Sequence, residues 1–307
     1  MKISVIISTY NRCYCLSELF HSLLLQKYDG SFDYEIIVVD NNSIDNTKEI
    51  INSFTKDNPR IRYIFEPKQG ISNARNAGIN NAKGEVLAFI DDDVLIDEDW
   101  LSNIARFSSA CDFDAAGGKV EPIYPANTPQ WIKDYKDILN GPIPCHDQGE
   151  NVKLYDKTML PFIGANMVIK RKVFEQIKGF NPGIGAGKGS IGEDTELFHR
   201  IQSVGYKIYY NPNILLFHPV IKERTNFIYF AKWHMASGRY SILKDYTPDE
   251  LKSFICYFGV PRYLFRQILN LFFSLLLSMR NKRIFIKAWG TLFWKIGMAQ
   301  AYRSKSL

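Results

Sequence analysis

The sequence has few cysteines and no long apolar run, and each shortage argues against a class of protein. Its five cysteines include no C-x-x-C pair, so the spacing suggests neither a zinc knuckle nor a disulfide framework. The longest charge-free stretch of the C-terminal region, 267–279, has 13 residues, whereas a membrane-spanning helix needs about 20. No secretory leader precedes the first apolar segment. We therefore expect a globular protein of a reducing cytosol.

Acidic residues are missing from the C-terminal end of the chain. None follows Glu250, although ten lysines and arginines do, and the region from Asn226 onward carries 13 basic residues against 3 acidic ones. The formal charge of +6 therefore combines a mildly acidic body with a basic, aromatic-rich tail. Such a tail is typical of proteins that bind an anionic membrane or nucleic acid.

Helical patterns at 263–279 and 284–300 place the basic residues of this tail among aromatic and aliphatic ones. This arrangement favours a helix that lies on an anionic membrane surface, and it argues against a basic groove for nucleic acid. A helical hairpin that packs back on the rest of the protein is the alternative. We expect membrane association and no nucleic acid partner.

Residues 2–121 alternate apolar strands with amphipathic helices, which predicts an α/β fold with a parallel βαβ sheet. The predicted strands are 3–9, 34–40, 61–65, 85–90 and 115–121. The predicted helices are 14–26, 46–55, 72–80 and 99–110. Parallel strands end along one edge of a sheet, and ligands bind in the crevice there.

Polar residues follow the predicted strands at that edge. They include Thr9, Tyr10, Asn11, Arg12, Asp40, Ser43 and the helix start at 70–75. A nucleoside diphosphate would use them, because Asp40 can accept from a base N–H and Arg12 or Arg75 can bind phosphate oxygens. The free N–H groups of the helix that starts near Gly70 would add an anion site. Helix capping is the alternative for Asn42, Ser43 and above all Asp45, and an exposed helix position is the alternative for Arg75.

The apolar segment 86–90 runs without a break into Asp91, Asp92 and Asp93. Such a segment predicts a strand that is buried on both faces. Three carboxylates at its end repel one another unless a cation neutralises them, and oxygen ligands suit Mg²⁺ or Mn²⁺. An acidic turn that merely ends the strand is the alternative.

The second half of the chain holds further candidates, each with a structural alternative. Trp131 lies in the proline-rich, irregular segment 122–160 and can stack on a sugar ring or be buried locally. Asn166 lies in a strand pattern at 162–169 and can bind sugar hydroxyls or serve as a buried amide. The glycine-rich segment 179–192 resembles a mobile lid rather than a phosphate loop. It leads to Glu193 and Asp194 at a helix start, where the carboxylates can supply a general base or only complement the helix dipole.

A predicted strand at 214–217 is followed by His218, a metal ligand or a structural histidine.

These motifs together resemble the family 2 inverting glycosyltransferases. The resemblance covers about residues 1–220 and is carried by the segments 5–12, 37–43, 70–76, 89–93 and 192–194. It implies a GT-A fold, a Rossmann-like α/β/α sandwich, at 1–225, with a nucleotide-binding half at 1–121 and an acceptor half at 122–225. Residues 226–307 would form a C-terminal basic, aromatic-rich helical extension.

The resemblance also implies roles for the candidate residues. Nucleotide, expected to be UDP, would be held by Thr9, Tyr10, Asn11, Arg12, Asp40, Ser43, Arg75, Asp91 and Asp92. Mn²⁺ or Mg²⁺ would be held by Asp91 and Asp93 of the D-x-D pair, with His218 as a further ligand. Asp194 would be the catalytic base, with Glu193, Asn166 and Trp131 near the donor sugar or the acceptor.

The expected function is transfer of a hexosyl or N-acetylhexosaminyl group from a nucleotide-sugar to a glycan or lipid-linked acceptor in cell-surface polysaccharide synthesis. The expected location is peripheral, at the inner face of the cytoplasmic membrane. A non-catalytic sugar-nucleotide-binding scaffold shares all the nucleotide features. A nucleotidyltransferase fits less well, because no glycine-rich, basic loop follows the first strand to hold a triphosphate.

Overall fold

The structure, a computed structural model, describes residues 1–156, 158–186, 191–245 and 255–305. The chain divides into two compact units. The first contains Met1–Ile123, Pro144–Lys188 and Glu193–Pro219, and the second contains Tyr124–Ile143, Gly189–Gly192 and Val220–Leu307.

The strands and helices are numbered along the chain. The strands are β1 (Lys2–Thr9), β2 (Asp33–Asp40), β3 (Ile61–Phe65), β4 (Val86–Asp91), β5 (Leu95–Ile96), β6 (Ala115–Ile123), β7 (Lys153–Leu154), β8 (Asn166–Lys170), β9 (Ile208–Pro219), β10 (Cys256–Tyr257) and β11 (Val260–Pro261). The helices are α1 (Cys13–Leu24), α2 (Thr47–Asp57), α3 (Ile71–Asn81), α4 (Trp100–Ala110), α5 (Gln130–Asp134), α6 (Arg171–Ile177), α7 (Glu193–Ser203), α8 (Phe227–Asp245), α9 (Arg262–Leu277) and α10 (Lys282–Lys305).

The first unit is built on a nine-stranded sheet in the order β3-β2-β1-β4-β8-β6-β9-β5, with β7 paired to β9. Strands β3, β2, β1 and β4 are parallel, which confirms the predicted α/β sheet in this half. In their register Thr9 lies beside Asp40, and Ser8 lies beside Asp91. The strand ends that carry the polar candidates therefore lie side by side.

The other half of the sheet differs from the predicted parallel arrangement. Strand β8 lies between β4 and β6 and is antiparallel to both. Its residues Asn166 to Ile169 are buried, so the strand fills a central position that a local apolar pattern does not specify. Strand β9 begins at Ile208, earlier than predicted, and continues through His218.

Helices cover both faces of the sheet. Successive residues of a strand point to opposite faces, and in β1 the residues Ile3, Val5 and Ile7 pack with side chains of α1, α2 and α4. Ile6 points to the other face, where it packs with side chains of α3, α6 and α7. The first unit is therefore an α/β/α sandwich with a core on each face of the sheet.

The second unit is mainly helical, as predicted for the tail. Helices α8 and α10 pack so closely that a Cβ at Gly238 would overlap the Trp294 carbonyl and one at Gly297 would overlap the backbone of Met235. Helix α9 packs on α10 through Leu264 and other apolar residues. Within the described residues, no helix combines the length and the apolar character that crossing a membrane requires.

Candidate active site

Two carboxylates and an imidazole converge where β4 ends. The Nε2 atom of His218 lies 3.5 Å from Asp93 Oδ1 and 4.0 Å from Asp91 Oδ2. One ligand atom from each of the three residues lies within 4.8 Å of the other two. The Nδ1 atom of His218 lies 3.1 Å from the Pro219 carbonyl, which accepts from an N–H and leaves Nε2 directed at the carboxylates. The two carboxylates of this donor set fit Mn²⁺ or Mg²⁺, because both ions prefer oxygen ligands.

Arg12 lies between the side chains of Asp92 and Asp93. Its Nη1 atom is 3.0 Å from Asp92 Oδ1 and 2.8 Å from Asp93 Oδ2. Burial raises the pKa of Asp92 to about 6, against the opposite effect of the Arg12 guanidinium. Arg12 thus supplies positive charge at the carboxylates, and its side chain is 39% exposed, which leaves it accessible to a ligand.

Arg75 is buried and joins two acidic groups. Its Nη2 donates to Asp91 Oδ1 at 3.2 Å, and its Nη1 donates to Glu193 Oε1 at 2.9 Å. The guanidinium also lies 5.2 Å from the ring centre of Phe180. Burial alone would lower the pKa of Arg75, but Glu193, Asp91 and Asp194 raise it. The alternative of an exposed helix position is wrong for Arg75.

Glu193 and Asp194 form the start of α7, where carboxylates are favoured by the helix dipole. Asp194 Oδ2 accepts from the Gly164 N–H at 2.8 Å, and its Oδ1 accepts from the Thr195 N–H at 2.7 Å. Burial, and next the charge of Asp194, raises the pKa of Glu193. Both carboxylates are therefore held in fixed orientations, one by backbone N–H groups and the other by Arg75.

Gly164 is a site residue that the sequence analysis did not select. Its N–H binds Asp194, and a Cβ at this position would lie 2.5 Å from Arg75 Nη2. The available signal was a glycine within an otherwise apolar segment, which often marks close approach by another group.

The loops after β1 and β2 are hydrogen-bonded to each other. The Asn11 N–H donates to Ser43 Oγ at 2.9 Å, and the Ser43 N–H donates to Asp40 Oδ1 at 2.9 Å. Thr9 and Asp40 are buried, whereas the Tyr10 side chain is half-exposed. The predicted nucleotide residues of the first two strands are therefore brought together.

Asp45, rather than Ser43, makes the hydrogen bonds expected of a helix cap. Its carboxylate accepts from the N–H groups of Cys13 and Thr47 at the starts of α1 and α2.

Asn41 organises the third loop and was also missed as a candidate. Its side-chain amide donates to the carbonyls of Glu66 and Lys68, at 3.1 and 2.8 Å, and its Oδ1 accepts from the Gly70 N–H at 2.8 Å. These bonds fix the backbone at Gly70, whose φ of +128° favours glycine, immediately before α3. Asn41 thereby helps to position Arg75.

Two candidates make contacts that match their structural alternatives. The Asn166 side chain is fully buried, donates to the Lys119 and Ile214 carbonyls, and accepts from Trp100 Nε1. It has no exposed surface for a sugar hydroxyl. Trp131 belongs to the second unit and stacks on Phe227 with 4.4 Å between ring centres. Its sugar-stacking role stays a prediction.

The predicted glycine-rich lid is described only in part, since 187–190 lie outside the described residues. Before that gap, the Ile184 carbonyl accepts from Ser72 Oγ at 2.8 Å, and the Ala186 carbonyl accepts from the Ile71 N–H. This part of the segment therefore contacts the first turn of α3.

The sequence is similar to that of a polysaccharide biosynthesis protein and to that of a glucuronosyltransferase. The succinoglycan biosynthesis protein ExoM of Rhizobium meliloti (strain 1021) is 26% identical over 240 residues, which are 78% of this chain and 74% of that protein. The glucosyl-dolichyl phosphate glucuronosyltransferase of Haloferax volcanii is 27% identical over 250 residues, 78% of this chain and 77% of that protein.

The fold is similar to that of the mannosyltransferase PcManGT from Pyrobaculum calidifontis, solved in complex with GDP-Man and Mn²⁺. The TM-score is 0.62 at 17% identity, covering 97% of this chain and 86% of that one. The fold is therefore of the GT-A type. Residues 4–178, more than half of the chain, match the sequence model of the Glycosyl transferase family 2. The chain belongs to glycosyl transferase family 2.

Proposed function

We propose that this protein is a metal-dependent, inverting glycosyltransferase that moves a hexosyl or N-acetylhexosaminyl group from a nucleotide-sugar to an acceptor hydroxyl. Family membership already gives sugar transfer in glycan biosynthesis. The observation that supports the finer assignment is the position of Arg75, which binds Asp91 of the metal-ligand cluster and Glu193 beside the candidate base. The buried Arg75 guanidinium thus connects the metal ligands, which would act on the leaving diphosphate, with the carboxylates that would act on the acceptor.

The donor is a nucleotide whose base carries a ring N–H, which uracil and guanine possess. Asp40 supports this choice, because its carboxylate lies at the end of β2 beside Thr9 and can accept such a bond. Tyr63 Oη and the Ser43 N–H orient that carboxylate. We propose a UDP-sugar, and the guanine nucleotide is the direct competitor to test.

The metal ligands are Asp91, Asp93 and His218, and a divalent ion held there would act as a Lewis acid on the diphosphate. The exposed part of Arg12 is available to bind diphosphate oxygens by its planar fork. Arg75 donates through Nη1 to Glu193 and through Nη2 to Asp91, so its principal role in this proposal is to fix those carboxylates, and its remaining N–H groups can still serve the nucleotide.

Asp194 is the catalytic base. It takes the proton of the acceptor hydroxyl as that oxygen forms a bond to the anomeric carbon, and the bond from the anomeric carbon to the diphosphate oxygen breaks. The nucleoside diphosphate leaves with the electron pair, and a single displacement inverts the anomeric centre. General base catalysis of this kind typically contributes about 10²–10⁴ in rate. The bonds from Gly164 and Thr195 support this role by fixing the carboxylate.

The acceptor is a glycan or a lipid-linked glycan of cell-surface polysaccharide synthesis. We propose that the protein acts peripherally at the inner face of the cytoplasmic membrane, because the anionic lipid there attracts basic segments. The tail supplies such a segment, since no acidic residue follows Glu250.

A donor panel tests this function. The protein is incubated with Mn²⁺ or Mg²⁺ and with UDP-glucose, UDP-galactose, UDP-N-acetylglucosamine, UDP-glucuronate or GDP-mannose, and release of nucleotide is measured with and without a lipid-linked acceptor. We expect metal-dependent release from a UDP-sugar that rises with acceptor. Tight nucleotide binding without turnover of any donor would instead favour the scaffold alternative.

A further inference from the structure

Helix α9 carries apolar residues on two different faces. One face packs on α10 and consists of Leu264, Ile268, Leu271 and Leu275. The other, called here the outer face of α9, is exposed and consists of Phe265, Leu269, Phe272, Phe273 and Leu276. Both sets follow the spacing of a helix, at intervals of three and four residues, so each forms a continuous strip.

The outer face of α9 exposes more contiguous apolar surface than is usual for a face that contacts only water. Its five side chains are 42–56% exposed, and the exposed Leu277 and Met279 extend the apolar surface past the end of the helix. Contiguous apolar patches of this kind mark interaction sites, whereas single exposed apolar residues need no explanation. We therefore expect the outer face of α9 to bind a partner.

Basic residues border the outer face at both ends of α9. Arg262 and Arg266 lie in the first turns, Arg280 and Lys282 follow the last turn, and all four are exposed. No acidic residue occurs after Glu250, and the acidic residue that the structure places beside this stretch, Asp137, pairs with Arg283 rather than with any of these four. The occupant must therefore be apolar at the centre and anionic at the edges.

We propose that the outer face of α9 binds an anionic membrane surface, with α9 parallel to the bilayer plane. Aromatic and aliphatic side chains would enter the boundary between headgroups and acyl chains, and the basic residues would bind lipid phosphates. A second copy of this chain fits less well, because pairing two outer faces would bring like charges together without acidic partners. With 16 residues, α9 is shorter than the roughly 20 residues that a bilayer-crossing helix needs.

This inference rests on the membrane location in the proposed function, which it assigns to one helix face, and it does not depend on the sugar-transfer chemistry. The outer face lies beyond residue 178, where the family match ends. Its test is a binding measurement, so a failure of membrane binding and a failure of catalysis are separate outcomes.

The experiment is flotation of the full-length protein with vesicles of phosphatidylcholine alone or with added phosphatidylglycerol. The apolar test variant replaces Leu269, Phe272 and Phe273 by serine, and the charge variant replaces Arg262, Arg266, Arg280 and Lys282 by glutamine. The matched control replaces Leu25, Leu154 and Val204, exposed apolar residues of the first unit, by serine. Circular dichroism and nucleotide affinity check that every variant is folded.

We expect the parental protein and the control to bind anionic vesicles, and salt to weaken binding. Each basic residue near an anionic surface is worth roughly fivefold in partition, so the charge variant should lose at least tenfold, and the apolar variant should lose as much. Absent parental binding, or an unchanged apolar variant, would overturn the proposal. A dimer in sedimentation velocity that dissociates in the apolar variant, without vesicle binding, would assign the face to a second copy.

Discussion

Arg75 and Glu193 form a buried ion pair, with 2.9 Å between Nη1 and Oε1, that joins α3 to the first turn of α7. The same guanidinium binds Asp91 at the end of β4. The consecutive elements α3 and β4 and the distant helix α7 are thus joined by one cation whose side chain is only 4% exposed. The pair fixes the spacing between the metal-ligand cluster and the candidate base.

Replacing Arg75 by methionine should therefore destabilise the protein strongly. Removing Arg75 leaves the Glu193 carboxylate, only 12% exposed, without its cation, and the loss of one partner of such a pair typically costs about 3–5 kcal/mol. Chemical denaturation of the variant measures the free energy of unfolding. Lys27→Met is the control, because Lys27 pairs with Glu98 and Asp99 at the surface and exposed pairs contribute little.

Adding Glu193→Gln to Arg75→Met should recover part of the loss, since one uncompensated charge is then removed. Equal stability of Arg75→Met and Lys27→Met would contradict the buried coupling.

Arg12 should compete with a metal ion for the aspartates. Its Nη1 atom binds Asp92 and Asp93, and Asp93 is also a proposed metal ligand. We expect Arg12→Met to bind Mn²⁺ more tightly in the absence of nucleotide, by roughly tenfold for the loss of one charge-assisted contact, and to bind UDP more weakly in the presence of Mn²⁺. Electron paramagnetic resonance of free Mn²⁺ and calorimetry with UDP measure the two affinities.

Asp93→Ala is the control for the first measurement and should lose Mn²⁺ affinity. If Arg12→Met lost affinity for both Mn²⁺ and UDP, Arg12 would be holding the carboxylates for the metal rather than competing with it.

His146 should make stability depend on pH. Its Nδ1 donates to the Gly118 carbonyl at 2.9 Å, and its Nε2 accepts from Tyr155 Oη at 2.8 Å, so the ring is held neutral. Burial lowers its pKa below the usual value of 6.5, against the opposite effects of the Gly118 and Leu160 carbonyls and of Asp147 and Asp194. The unfolded chain takes up the proton near pH 6.5 and the folded protein only at lower pH, so this contribution is complete above 6.5 and is lost as the pH falls.

The measurement is the difference in the free energy of unfolding between the parental protein and His146→Gln. It should shrink below pH 6.5 by up to about 1.4 kcal/mol per pH unit. A comparison between the two proteins cancels other groups that titrate in this range, such as Asp92. A difference that stays constant from pH 7.5 to pH 5 would show that His146 does not titrate on unfolding.

Local sequence patterns were sufficient for the parallel half of the sheet and for the residues at its edge. Strands β1 to β4 are short apolar segments between amphipathic helices, and parallel pairing brings Thr9 beside Asp40 and Ser8 beside Asp91. The place of β8 between β4 and β6 was not predictable, because it depends on pairing between segments some 50–80 residues apart rather than on periodicity.

The contacts within the site show the same limit. The motifs indicated Arg75, Glu193 and Asp194 as candidates, but α3 gave no sign that Arg75 is buried, because an arginine in an amphipathic helix is usually exposed. The Asp194 contact is with a backbone N–H of Gly164, and backbone donors leave no residue type to recognise. Long-range ion pairs and backbone contacts therefore required the structure.

In the proposed mechanism Asp194 takes the proton of the acceptor hydroxyl, while Asp93 holds the metal. Parallel measurement of nucleotide affinity and kcat in two variants tests these roles most directly. Calorimetry with UDP and Mn²⁺ and steady-state transfer to a lipid-linked acceptor are measured for Asp194→Asn and Asp93→Ala. We predict that Asp194→Asn binds UDP as the parental protein does but loses about 10²–10⁴ in kcat, while Asp93→Ala loses Mn²⁺-dependent UDP binding. Transfer at the parental rate by Asp194→Asn, with Asp93→Ala binding UDP and Mn²⁺ normally, would contradict the account.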